Sequence, residues 1–326
     1  MLAVRLTILA LLPLLATLAP AAATGDPPLA AWPDELSGMA RLADGRLLLV
    51  DDEERQAVFL VCPAADGHIP TTPPVRQRFP LRIDDLEAAA TDSAGHVYLM
   101  ASHSLTRKGH WRPDRFRIAR LAAGWPGPAA GVDTSRATPF GAVVIDDLLD
   151  RLLVCAAHAD RASAYDLEGL AWYPAGDRLL VGARSPLDGE RALLFEIGPA
   201  AALFRGEPTR CRVHALALGG GGIRALAYDP WRDGCLVLAG ASGGHPAHVY
   251  LWRPPPADGG PGGRLFELDV PDLGALPQPE AIAAGGPVDA RGAGPLYVAT
   301  EGQWSEKPPL VVCQAGPPVP VEEPDR

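Results

Sequence analysis

Carboxylates stand at the head of several short apolar segments in this chain, and the regularity of that placement suggests that they meet. Glu87 opens Ala88-Ala89-Ala90, Glu168 opens Gly169-Leu170-Ala171 and Glu280 opens Ala281-Ile282-Ala283. Arg224 takes the same place before Ala225-Leu226-Ala227, and Ser37 before Gly38-Met39-Ala40. Asp85 and Asp166 lie two residues ahead of Glu87 and Glu168, on the same side of an extended strand, because side chains alternate with period two. Three carboxylates some 7 Å apart repel one another by about 2 kcal/mol per pair at an effective dielectric near 20. Such a group requires arginine partners, a bound cation or partial protonation. Arg184 and Arg224 neutralise part of it. The remainder fits a divalent cation such as calcium, which takes clustered hard oxygen ligands. The expected metal ligands are Asp85, Glu87, Asp166, Glu168 and Glu280. The expected ligand-binding set is Glu87, Glu168, Arg184, Ser185, Arg224, Glu280 and His103. A bland reading stands beside this one: polar residues at strand starts hydrogen-bond their neighbours and channel water with no chemistry, and His103 makes a loop hydrogen bond.

Other combinations fail on context. His245-Pro246-Ala247-His248 has metal-like spacing only on a helix and sits between strands. Gly219-Gly220-Gly221-Gly222 precedes a strand, so it is no phosphate loop.

The elements that position the acids form an internal repeat, the feature to seek first in a chain of this size. One unit runs Ser37-Gly38-Met39-Ala40, a turn at Asp44-Gly45, Leu47-Leu48-Leu49-Val50, then Ala57 to Val61. Further copies start at Asp85-Leu86-Glu87, Asp166-Leu167-Glu168, Arg224-Ala225-Leu226 and Glu280-Ala281-Ile282. Each has a first strand of small apolar residues, a polar turn and bulkier strands after it. Radial stacking of such sheets predicts an all-β fold, a β-propeller with about five blades, or six if Ala122–Ser163 holds a degenerate one. A short helical insertion is preferred for that stretch: Thr138 as cap, Pro139 at the first position, and Val143, Leu148, Leu149, Leu152 and Leu153 as an apolar stripe. In a propeller the first strand begins on the face where the second ends. The second strands end at Asp51-Asp52, Ser102-His103-Ser104, Arg184-Ser185, Ser242 and Thr300-Glu301, which predicts one polar mouth.

Composition narrows the partners. The net charge of −10 argues against nucleic acid, which demands a basic surface. Arg5, the apolar run Leu6–Leu18 and Ala21-Ala22-Ala23 read as a cleavable secretory leader over 1–23, too short to span a bilayer. The expected organisation is leader, one propeller domain over 25–315, and an acidic, Pro-rich tail over 316–326. The expected location is periplasmic or secreted, with no membrane span. Scarce lysine beside common arginine suggests a GC-rich bacterial genome. Five cysteines with no C-x-x-C pair leave at least one outside any intrachain disulfide, and connectivity stays open.

These residues resemble an uncharacterised bacterial domain-of-unknown-function family of exported β-propeller-like proteins. The resemblance rests on Glu168-Gly169-Leu170-Ala171 with Gly182-Ala183-Arg184-Ser185-Pro186-Leu187, on Ser37-Gly38 with Asp51-Asp52-Glu53, on Ser102-His103-Ser104 with Arg115-Phe116-Arg117, and on Gly222-Ile223-Arg224 and Pro279-Glu280. It implies the propeller and no established activity. Ala225 and Thr300-Glu301 depart from the acids the family pattern leads one to expect.

Three functions follow. The leading one is binding of a small ligand, a divalent cation or a protein partner at the channel mouth. The second is metal-dependent hydrolysis of a lactone or phosphate ester, with cation-activated water, His103 or a carboxylate relaying protons and the arginines holding negative charge. The third is a non-catalytic scaffold.

Overall fold

Apolar runs such as Leu47-Leu48-Leu49-Val50 show no alternation, and the computed structural model gives the reason: both faces of these strands are covered. The structure describes residues 32–127, 141–156, 165–240, 246–256, 263–301 and 309–321. The described residues form five antiparallel sheets. Blade I holds β1 (Leu36–Arg41), β2 (Leu47–Asp51), β3 (Ala57–Val61) and β4 (Val75–Arg78). Blade II holds β5 (Leu86–Thr91), β6 (Val97–Ala101), β7 (Ile118–Leu121) and β8 (Val143–Ile145). Blade III holds β9 (Asp166–Tyr173), β10 (Arg178–Ser185), β11 (Ala192–Gly198) and β12 (Arg210–Leu216). Blade IV holds β13 (Ile223–Asp229), β14 (Gly234–Ala239), β15 (His248–Arg253) and β16 (Arg264–Leu268). Blade V holds β17 (Pro279–Ala284), β18 (Gly294–Thr300) and β19 (Leu310–Ala315).

The innermost strands touch in the cyclic order β1, β5, β9, β13, β17 and back to β1. The apolar core is divided to match. Each of five buried clusters lies between two adjacent blades, and the last closes the ring by packing Leu36, Met39, Leu47 and Phe59 of blade I against Ala281, Ala283, Tyr297 and Leu310 of blade V. Arg41 adds a polar seam there, donating from Nη1 to the carbonyls of Ala284 and Gly285 at 3.0 and 2.6 Å. The fold is a five-bladed β-propeller.

Between neighbouring inner strands there is room for little more than backbone. A Cβ on Gly38 would sit 2.5 Å from the Glu87 carbonyl oxygen and 2.8 Å from the Ala88 Cα, so β1 and β5 approach too closely for a side chain. Gly169 is crowded by Leu226 and Ile223 in the same way.

The outer elements differ from the expectation in three places. Val143, expected on the helical stripe, lies in β8 and completes blade II, so the region after Ala122 supplies no sixth blade among the described residues. The helix begins later, as α1 (Leu148–Ala156), with Leu148, Leu149, Leu152 and Leu153 buried between blades II and III. Thr138 and Pro139 lie outside the described residues. Pro318–Pro320, expected within the tail, forms β20 and pairs with β16 at the rim of blade IV. Proline lacks an amide donor and is tolerated at a sheet edge. Residues 1–23 and 322–326 lie outside the described residues. A disulfide joins Cys155 of α1 to Cys211 of β12, while Cys62 is exposed and Cys235 and Cys313 are buried as thiols.

The crowding at Gly38 predicts that Gly38→Ala lowers unfolding free energy by about 1–3 kcal/mol, since backbone must shift to admit the methyl. Gly274, with open space around its Cβ position, is the control: Gly274→Ala stays within about 0.5 kcal/mol of the parent. Urea unfolding of the two variants makes the comparison.

Candidate functional site

Each inner strand carries a register irregularity near its start, and the β9–β10 ladder has a second one on the β10 side, between Ala183 and Ser185. The register slips between Leu36 and Gly38, Leu86 and Ala88, Leu167 and Gly169, Ile223 and Ala225, and Pro279 and Ala281. The unpaired residues are Ser37, Glu87, Glu168, Arg224 and Glu280. A β-bulge leaves one residue out of the ladder and re-aims its side chain. Five bulges at equivalent positions turn five polar side chains toward the axis.

Arg224 is the centre of this group. Its Nη1 lies 3.2 Å from Glu168 Oε2 and 2.7 Å from Glu280 Oε2, bridging two inner strands that are not adjacent to each other, and its side chain is only 6% exposed. Arg184, at the end of β10, approaches the other oxygen of Glu168 at 2.6 Å and Asp166 at 3.7 Å. Glu280 Oε1 is buried without a hydrogen-bond partner among the described residues. The arginines therefore hold Glu168 and Glu280, two of the expected metal ligands.

The other acids gather nearer blades I and II. Asp52, Asp85 and Glu87 each place a carboxylate oxygen within 4.8 Å of the others. Asp52 Oδ1 is buried and has no hydrogen-bond partner among the described residues. Asp85 adopts a left-handed backbone, φ 61°, a conformation that aspartate tolerates better than most residues. Arg115 is ion-paired with Asp85 and donates to Ser104 O at 3.1 Å and Ser104 Oγ at 3.1 Å. Asp51 works locally, accepting backbone amides of Glu35, Glu53 and Glu54. Glu35 shares a hydrogen bond with Glu301, and that bond together with burial raises its pKa.

Six carboxylates (Asp52, Asp85, Glu87, Asp166, Glu168 and Glu280) thus face three guanidiniums (Arg115, Arg184 and Arg224). Burial pushes Asp52 up to about 7, helped by Asp51 and Asp85; Glu168 to about 7, with Arg224 opposing; and Glu280 to about 8, again against Arg224. Glu87 is raised well above the usual carboxylate range by burial and by the charges of Glu168, Asp85 and Asp166. It lies deep in the ring yet keeps part of its side chain accessible. Protonation and a bound cation are alternative ways to relieve the same excess charge.

His103 is separate from the acids. Its Nδ1 donates to the Ala101 carbonyl at 2.7 Å, its ring meets Phe116 edge-on at 6.1 Å, and burial lowers its pKa to about 4. The charge it senses is Asp146, on the outer side of blade II. Ser37 donates to Leu86 O at 2.6 Å and seals blade I to blade II, as the bland reading expects. Ser185 pairs with Asp166 across the β9–β10 ladder. Ser242 lies outside the described residues. Asp52 and Arg115 were not in the sets drawn from sequence. Asp52 was visible at a second-strand end, whereas Arg115 reaches Asp85 from a loop outside the repeat pattern.

Residues 141–259 match the model of a family described as "Protein of unknown function (DUF3616)". That is the family this chain resembles. The matched stretch contains blade III and most of blade IV, and with them Glu168, Arg184 and Arg224. Nothing matches among curated proteins. Solved structures with a similar course include a putative oxidoreductase (glucose dehydrogenase) from Thermus thermophilus, at 14% identity, covering 89% of this chain and 98% of that one, TM-score 0.43. A Bacteroides thetaiotaomicron protein of unknown function follows at 10% identity, 90% and 73% coverage, TM-score 0.41. The PQQ-bound aldose sugar dehydrogenase of Streptomyces coelicolor is similar at 13% identity, 91% and 100% coverage, TM-score 0.39.

Arg224 decides whether Glu168 and Glu280 can be buried together. Arg224→Met is expected to cost about 3–5 kcal/mol at pH 9, because breaking a buried ion pair strands the remaining charge. The loss shrinks toward pH 5, where both carboxyls hold protons. Urea unfolding across that range reads the trend.

Proposed function

We propose that the protein binds a divalent cation at the acid end of its ring through Asp52, Asp85 and Glu87, with a small oxygen-bearing ligand completing the shell. The observation that carries this reading is the meeting of those three carboxylates within 4.8 Å, one of them with a buried oxygen that no other described residue satisfies. Calcium suits the site chemically, since it accepts six to eight hard oxygens in loose geometry and leaves positions for water or ligand. The neighbouring Glu168–Arg184 pair, with Arg184 35% exposed, offers a guanidinium at the edge of the site for an anionic group on that ligand.

Binding is favoured over metal-dependent hydrolysis because His103, one of two expected proton relays (the other a carboxylate), contacts none of the three acids and is tied to Ala101. The protein acts outside the cytoplasm on this reading. The apolar leader over 1–23 and the Cys155–Cys211 disulfide, a bond that persists in oxidising compartments, support export. No helix among the described residues is long and apolar enough to cross a membrane.

Carboxyl groups with raised pKa bind more protons in the folded state than in the unfolded one, so stability falls as pH rises. The fall begins near the ordinary values of 3.8 for Asp52 and 4.5 for Glu280 and is complete above about 7 and about 8 respectively. In chelator, Tm is therefore expected to drop between pH 5 and pH 8. Calcium at about a hundredfold excess over its Kd restores about 2.7 kcal/mol, some 5 °C or more. The effect strengthens with pH, because the cation competes with protons. Asp52→Asn is expected to abolish it, and a calcium shift of full size in that variant would sink the assignment. Export has its own test: the periplasmic or secreted form, sized by mass spectrometry, lacks residues 1–23, and Cys155→Ser destabilises it by about 2–4 kcal/mol.

A further inference from the structure

The opposite end of the same five strands has a different chemistry. Where the acids stand at the strand starts, the strand ends surround a cavity of ≈ 570 Å³ walled by all five inner strands. Glu168 and Trp172 lie toward opposite ends of β9, four residues and about 13 Å apart along the strand. The wall is apolar and aromatic, with Trp172, Tyr228, Trp231 and Leu42 around it and Ala227 and Ala283 leaving space between them.

Several of its polar side chains are already engaged. Thr91 Oγ1 donates to Arg41 O at 2.9 Å, and Trp172 Nε1 donates to Asp177 Oδ1 at 2.8 Å. The Arg41 guanidinium donates to Ala284 O and Gly285 O while resting 5.1 Å from the Trp231 ring centroid. A strongly polar or charged guest would lose its water there and find few partners in return. Small-molecule sites have this volume and this mostly apolar lining with a few polar groups.

We propose that this cavity is a second binding site, for an uncharged, largely apolar small molecule with an aromatic or fused ring. Trp172, Trp231 and Tyr228 offer ring faces and edges for it to pack against. The site does not depend on the cation reading, because it shares no residue with the acid end.

The test uses the neutral dye N-phenyl-1-naphthylamine, whose emission rises in apolar surroundings. The purified wild-type protein is expected to bind it saturably, one dye per chain, at micromolar concentration, with quenching of tryptophan emission. Ala227→Phe, which fills the cavity, and Trp231→Ala, which removes part of its wall, are each expected to weaken binding about tenfold or more. Both variants are checked for folding by circular dichroism, and Trp231→Ala decides alone if Ala227→Phe does not fold. A dye response in the wild type that never saturates, or wild-type affinity in every folded variant, overturns the proposal.

Discussion

At the axis, two inner strands approach so closely that the Glu87 carbonyl occupies the place a Cβ of Gly38 would take. Similar contacts recur around the ring, where Gly182 and Gly169 accept the side chain of Ile223 and Gly222 lies against the Arg184 backbone. Five sheets can close into a circle only if their innermost edges are this narrow. The site follows from the same requirement. Immediately beside the glycines and alanines of each inner strand the ladder slips by one residue, and the slipped residue turns inward. Ring closure and the convergence of Ser37, Glu87, Glu168, Arg224 and Glu280 are therefore two consequences of one constraint.

Electrostatics then separates the acids into two populations. Glu168 and Glu280 lie on blades III and V, and Arg224 enters between them from blade IV with both carboxylates in reach. No bulged arginine exists on the side of blades I and II, where the equivalent positions hold Ser37 and Glu87. Arg115 arrives from outside the repeat and satisfies Asp85, leaving Asp52 and Glu87 with shared charge and no strong donor among the described residues. The cation proposal rests on that asymmetry around the ring, more than on the number of acids.

The fold was legible because its constraints repeat. Small residues followed by a turn and a bulky strand recur five times, each copy obeying the same crowding, and the period shows through sequence divergence. Convergence of Glu87, Glu168, Arg224 and Glu280 was legible for the same reason. What did not repeat was hard to read. Val143 has the spacing of a helical stripe, but a place was open at the outer edge of blade II, and strand pairing took it as β8. Pro318–Pro320 looked like a fraying tail, yet the outer edge of blade IV could accept a strand that donates few hydrogen bonds. His103 sits between two serines that face Arg115, and its positive φ of 55° turns it away into the packing around Phe116. A backbone reversal of that kind leaves no trace in composition or spacing. The partner of Cys211 was equally unreadable, because α1 reaches β12 only through tertiary packing.

The two ends of the inner strands differ for a reason that lies in the backbone. At the starts, the bulges force single residues out of the ladder, so polar side chains can point to the axis without leaving ladder amides unpaired over a long stretch. Toward the ends the ladders run without a register shift, and the wall of the cavity is mostly apolar. Trp172, Tyr228 and Leu42 can occupy that end because nothing there needs them to be polar. One set of five strands therefore presents hard oxygen donors at one mouth and aromatic surface at the other. A bound cation and an apolar guest would each stabilise the ring by adding contacts between blades.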